Sequence, residues 1–140
     1  MAAMTVKQIM TRDPVRLQVD TSLKEAAKVM RDMDIDDVVV VDSDRLVGVV
    51  TDRDIVVRAV AEGIGPADTT LGSVVSRDLV TITPEGTAHD AALLMRDRAV
   101  RRLLVCDEDG LVGIVSIGDL AVDIDPESVL GGISSAAPNT

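Results

Sequence analysis

The chain has 140 residues, of which 46% are apolar; a globule of that size buries roughly 70% of the surface its unfolded form exposes, so one well-filled domain is expected. A formal charge of −10 repels a phosphate backbone, and with no Phe, Tyr or Trp there is no ring to stack on a base, which argues against nucleic acid as a partner. Cys106, the single cysteine, forms no intrachain disulfide; residues 1–10 lack the apolar core of a signal peptide and no run approaches the roughly 18 apolar residues of a membrane span, so a soluble cytoplasmic protein is expected.

The periodicity predicts a strand over residues 15–19 and then a helix. Ser22 with Glu25 three residues on reads as a capping box, and Leu23, Ala26, Ala27 and Met30 fall on one helical face. Two apolar runs, 38–41 and 46–50, flank a polar turn at 42–45 and read as a hairpin covered on both faces. A last helix begins after Thr51 with Ile55, Val56, Ala59 and Val60 as its apolar residues, before Gly63, Gly65 and Pro66 punctuate the chain.

The same order then recurs. Thr87 and Asp90 cap a helix with Ala88, Ala91, Ala92 and Met95 on its face; runs 103–106 and 111–115 form the hairpin; a helix after Ser116 carries Leu120, Ala121 and Ile124 before Asp125 and Pro126 stop it. Shifted by 65 positions, Asp13, Ala26, Met30, Arg31, Asp32, Asp42, Leu46, Gly48 and Asp54 fall on Asp78, Ala91, Met95, Arg96, Asp97, Asp107, Leu111, Gly113 and Asp119 without a gap. The chain is therefore an internal duplication, with copies at 5–66 and 67–124 expected to stack on one another and a mobile tail expected at 125–140. Apolar residues spread widely around the last helix of each copy, as suits a face covered by a second copy of the chain.

Thr51 with Asp54, and Ser116 with Asp119, stand where a strand hands over to a helix. Such spacing caps a helix, worth on the order of 1 kcal/mol, and equally presents a hydroxyl, a carboxylate and free N–H groups to a ligand; spacing leaves both readings open. Arg101 and Arg102 precede the second copy's central strand where the first copy has Asp36 and Asp37, so the acidic and basic pairs also suit a plain ion-pair role. His89 reads as a solvated helix residue, Cys106 as a small buried filler, Met30 and Met95 as core, and Arg31–Asp32 and Arg96–Asp97 as solvated faces. No nucleophile sits beside a base, no metal-ligand cluster is spaced for coordination and no glycine loop is built for phosphate, so no enzyme is expected.

Two units of strand, helix, strand, strand and helix, each with a Leu-Val-Gly-apolar-Val strand running into Thr/Ser-x-x-Asp, resemble the CBS-domain pair, or Bateman module. The resemblance covers about residues 5–124 and rests on 45–54 and 110–119 at one fixed offset. It is similar to the small stress- and hypoxia-linked members, and implies an α/β (α+β) fold of tandem repeats with an internal pseudo-twofold. It implies a regulatory protein that binds an adenosine-containing ligand, such as AMP, ADP, ATP or S-adenosylmethionine, in the cleft between repeats. Asp54 and Asp119 would then accept the ribose hydroxyls, Thr51 and Ser116 would face phosphate, and Arg101 and Arg102 would draw an anionic ligand to the second half. Val15, Val38, Val80 and Leu103 would sandwich the base. The resemblance further implies a homodimer formed through the helices, signalling by a change in repeat angle or dimer. One departure is plain: Val39 and Leu104 stand where many members carry proline, which changes the hydrogen-bonding capacity of that strand. The acidic Asp36 and Asp37 and the missing prolines also fit a ligand-free interaction or scaffold module.

Overall fold

The computed structural model describes residues 4–124, with side chains to residue 121; the expected tail at 125–140 lies outside the described residues. Packing divides the chain into two compact units. One runs from Val15 to Leu79, and the other joins the chain up to Pro14 to the part from Val80 onward.

In the first of these, β2 (Arg16–Gln18) leads through α2 (Leu23–Met33) to a parallel partner, β3 (Asp37–Asp42), which pairs antiparallel with β4 (Arg45–Thr51). A parallel pair needs a crossover, and α2 supplies it. Ser22 caps α2 by accepting the Glu25 N–H at 3.1 Å, but the Glu25 carboxylate lies toward Lys28 rather than back to the cap, so only half of the expected capping box forms. Leu23, Ala26 and Met30 are buried whereas Ala27 is exposed, contrary to expectation. Ala27 sits on the rim of a stripe centred on the other three, and its methyl is too short to reach the sheet. Four consecutive buried residues, Val38 to Val41, show that β3 is covered on both faces, as its unbroken apolar run predicts.

The other unit repeats this plan. β5 (Thr81–Ile82) is parallel to β6 (Arg102–Asp107), which pairs antiparallel with β7 (Gly110–Ser116), and α4 (Ala88–Arg98) makes the crossover. Here the capping box is complete: Thr87 Oγ1 accepts the Asp90 N–H at 3.0 Å and the Asp90 carboxylate accepts the Thr87 N–H at 3.0 Å. These bonds to Thr87, the backbone one foremost, hold the Asp90 carboxyl below its usual range. The helices end alike, with Asp34 and Ala99 both at φ 53. The next N–H, of Ile35 or Val100, bonds back to Met30 or Met95 at 3.0 Å, closing the last turn.

Each unit also holds a segment that the periodicity does not announce. In the unit containing β7, α1 (Val6–Ile9) buries Val6 completely, and β1 (Thr11–Arg12) pairs antiparallel with β7, placing Thr11 opposite Ile114. In the other, a short turn over Leu71–Ser73 buries Leu71, with Val74 and Val75 behind it, and Ser76 bridges Val49. These positions are 65 apart, so the equivalent leaders of the two sequence repeats have changed places: each packs with the other repeat's sheet. Gly48 and Gly113 mark the contact. A Cβ on Gly48 would overlap the Ser76 carbonyl oxygen, and one on Gly113 would lie 2.9 Å from that of Thr11. The glycine of the duplicated Leu-Val-Gly signature thus lets an extra strand approach the sheet edge.

Candidate functional site

In the second repeat the antiparallel register sets Arg102 directly opposite Ser116, the last residue of β7. The next residue, Ile117, opens α5 (Ile117–Ile124) and donates its N–H to the Arg101 carbonyl at 3.0 Å, so the handover from strand to helix is tied to the residue before β6. Ser116 donates its N–H to Asp119 Oδ2 at 2.8 Å, and Ser116 Oγ accepts the Asp119 N–H at 3.2 Å. The half-buried Asp119 is therefore fixed by a reciprocal cap at a handover that the strand pairing ties to Arg101, which is exposed, and Arg102, which is half-buried.

The first repeat builds the same frame with opposite charge. Asp37 lies opposite Thr51, and the Asp52 N–H donates to the Asp36 carbonyl at 3.0 Å. Thr51 donates its N–H to Asp54 Oδ2 at 2.9 Å, and its Oγ1 accepts the Asp54 N–H at 3.1 Å. Capping is thus a real duty of all four residues, and one carboxylate oxygen of each Asp is engaged by it.

An additional residue, Arg58, enters here. Its Nη1 donates to the Val74 carbonyl at 3.0 Å and its Nε stands 3.8 Å from Asp54 Oδ1. The helix expected after Thr51 is in fact four residues, α3 (Asp52–Ile55), followed by a π turn over Val56–Val60 that carries Arg58. The four-residue spacing of Asp54 and Arg58 was visible in the sequence; the position 65 residues later holds Asp123, which breaks the repeat.

The four proposed base-facing residues are placed differently. Val38 and Leu103 are 1% and 0% exposed, inside the apolar cores of their own units, and Val80 is buried as well. Val15 is half-buried and packs against the first core. Val15 and Val80 meet the central strands through backbone: their carbonyls accept the N–H groups of Val39 at 2.8 Å and Leu104 at 3.0 Å. A proline at 39 or 104 would lack that N–H, so valine and leucine there keep a bond to the neighbouring strand.

Among the described residues, no group of three His, Cys, Asp or Glu side chains is placed to hold a metal, and no helix is long and apolar enough to cross a membrane. His89 is exposed on α4. Cys106 is half-buried, and burial, with the charge of Asp107 behind it, pushes its thiol above its usual range, the opposite of an activated nucleophile. The Arg31–Asp32 and Arg96–Asp97 pairs are solvated, as the sequence suggests. An apolar groove of about 350 Å³ lies between α4 and α5, lined by Ala92, Met95, Val100, Ile117 and Leu120 among others, and includes none of the ten candidate residues.

Comparison with known proteins matches the CBS-domain pattern at residues 6–60 and 71–124. The chain is 37% identical over 119 residues to the CBS domain-containing protein YhcV of Bacillus subtilis, covering 85% of this chain and 84% of that one. It is 33% identical over 118 residues to hypoxic response protein 1 of Mycobacterium tuberculosis, covering 84% and 82%. Among solved structures, a CBS-domain protein of Burkholderia ambifaria, a candidate for signal transduction, superposes with a TM-score of 0.81 at 26% identity, over 89% of this chain and 96% of that one. The crystal structure of Hypoxic Response Protein I, which holds two coordinated zinc ions, gives 0.72 at 32% identity, over 84% and 96%.

Proposed function

The chain belongs to the CBS-domain family, as a tandem pair, and on that premise we propose that it is a regulatory sensor of an adenosine-containing ligand such as AMP, ADP, ATP or S-adenosylmethionine. Family membership favours a regulatory over a catalytic role. Asp54 and Asp119 are the ribose acceptors of this reading, each with one oxygen already fixed by a cap. The observation that carries the rest is the register that sets Arg102 opposite Ser116 in the second repeat where the first sets Asp37 opposite Thr51. A phosphorylated ligand is therefore drawn to Ser116 and Asp119, beside the positive charge of Arg101 and Arg102, and disfavoured at Thr51 and Asp54. Occupancy is then read out by a shift between conformers or in assembly.

Thermal shift and calorimetry with the four ligands test this. A ligand at a hundred times its Kd stabilises the folded state by about 2.7 kcal/mol. The increment, rather than the absolute Tm, is the quantity to compare, because Asp119→Ala also removes a cap. Asp119→Ala and Arg102→Ala should abolish most of the ATP increment and Asp54→Ala little of it. The reverse order would overturn the arginine argument, and no increment from any ligand would overturn the sensor reading.

A second reading, an interaction module, is favoured by one observation: Val56, Val57, Val60 and Ile64 are 56%, 45%, 58% and 42% exposed on one short stretch after α3. This is the surface on which a homodimer through the helices would form. Val57→Asp with Val60→Asp should then lower the sedimenting mass by half while leaving the far-ultraviolet circular dichroism unchanged.

A further inference from the structure

Beyond the charge difference ahead of their central strands, the two repeats differ in the helical turn that follows the strand-to-helix handover. Asp54 presents one oxygen to the Thr51 N–H, and its other, Oδ1, faces Arg58 Nε at 3.8 Å. Asp119 is held by Ser116 in the same way, but among the described residues no cation pairs with it, and the position matching Arg58 in the sequence is Asp123. Arg58 is not a loose surface side chain. Its Nη1 is anchored on the Val74 carbonyl at 3.0 Å, and the π turn that carries it is closed by the Ala61 N–H on the Val56 carbonyl at 2.9 Å. A π turn inside a helix re-aims the side chains that follow it. Anchored at one end, the guanidinium loses less freedom on meeting Asp54 than a free arginine would.

We infer that Arg58 is a gating residue of the first repeat: its guanidinium competes for the outer oxygen of Asp54, so a ribose hydroxyl binds there only by displacing it. This rests on the reading of Asp54 as a ribose acceptor. Arg58 and Asp54 side chains are 49% and 18% exposed, so the competition is modest, about two- to fivefold in affinity. The gate adds to the charge difference at Asp36 and Asp37, and both make the first repeat the weaker site.

The test uses the full chain with Asp119→Ala, which confines binding to the first repeat, and adenosine as probe, which has no phosphate for Arg58 to attract. Adding Arg58→Gln should tighten adenosine binding about two- to fivefold by calorimetry. Equal or weaker binding overturns the gate, as does no detectable binding in either variant. AMP titrated into the wild type separates the two ideas: binding there with no gain from Arg58→Gln sinks the gate alone, and no binding there sinks the ribose reading with it.

Discussion

Replacing Gly48 with alanine puts a methyl group against the Ser76 carbonyl oxygen, with Val75 Cγ2 at 2.9 Å and the Ser76 carbonyl carbon at 3.0 Å. The obstacle is backbone, so no side-chain rotation relieves it. The Ser76 strand must withdraw, and with it go two backbone bonds to Val49, at 3.3 and 3.4 Å, and the packing of Val74 and Val75, now 2% and 8% exposed. Overpacking typically costs 1–3 kcal/mol and each of the two lost backbone bonds about 0.5–1.5 kcal/mol net, so Gly48→Ala should cost about 2–6 kcal/mol. At Gly113 one clash is with the thioether end of Met10, which can swing away, leaving the Thr11 carbonyl at 2.9 Å. Gly113→Ala should therefore cost less. Gly65 meets only the flexible Asp68 carboxylate, at 3.2 Å, and Gly65→Ala should stay within about 0.5 kcal/mol of wild type. Urea unfolding of the three variants gives the ranking directly. A Gly48→Ala protein as stable as Gly65→Ala would show that the signature glycine does not exist to admit the neighbouring strand.

Two further outcomes are expected. Ala99 ends α4 at φ 53, where a Cβ costs about 1–2 kcal/mol, while glycine gives back about 0.4–1 kcal/mol through the unfolded chain; Ala99→Gly should thus stabilise by about 0.5–1 kcal/mol, and a lowered Tm would contradict the strain argument. Because burial raises the Cys106 thiol above its ordinary 9.0, the folded protein holds that proton more tightly than the unfolded chain. Stability contributed there is complete below the unfolded value and lost as pH rises through the folded one. Iodoacetamide labelling of native protein should show a rate midpoint above 9.0, and a midpoint at or below that value would refute it.

Much of the frame is legible in the sequence because it rests on local rules. The hairpins follow from unbroken apolar runs flanked by polar turns, α2 and α4 from a hydroxyl cap and a spaced apolar stripe, and the duplication from a fixed offset. Val6, Leu71, Val74 and Val75 were not legible as core, because each lies in a segment of a few residues, too short to show a period, and is buried only by a sheet far away in sequence. The π turn at Val56–Val60 escaped for a related reason: its apolar spacing fits an ordinary helix equally well, and only the carbonyl that each N–H selects tells them apart. At the site, spacing predicted the reciprocal Thr51–Asp54 and Ser116–Asp119 bonds. The inward burial of Val38 and Leu103 follows from strand register, which alternation cannot reveal when both faces are covered.

The crossed leaders bear on how such a gene could arise. In a single-copy ancestor the same trade of segments would require two chains, so the fold would answer to concentration. Fusing the copies makes the trade intramolecular, at an effective concentration set by the short connection around Gly63 to Pro66. Once joined, neither half could be cut away at the boundary that the duplication suggests without leaving its twin's glycine edge uncovered.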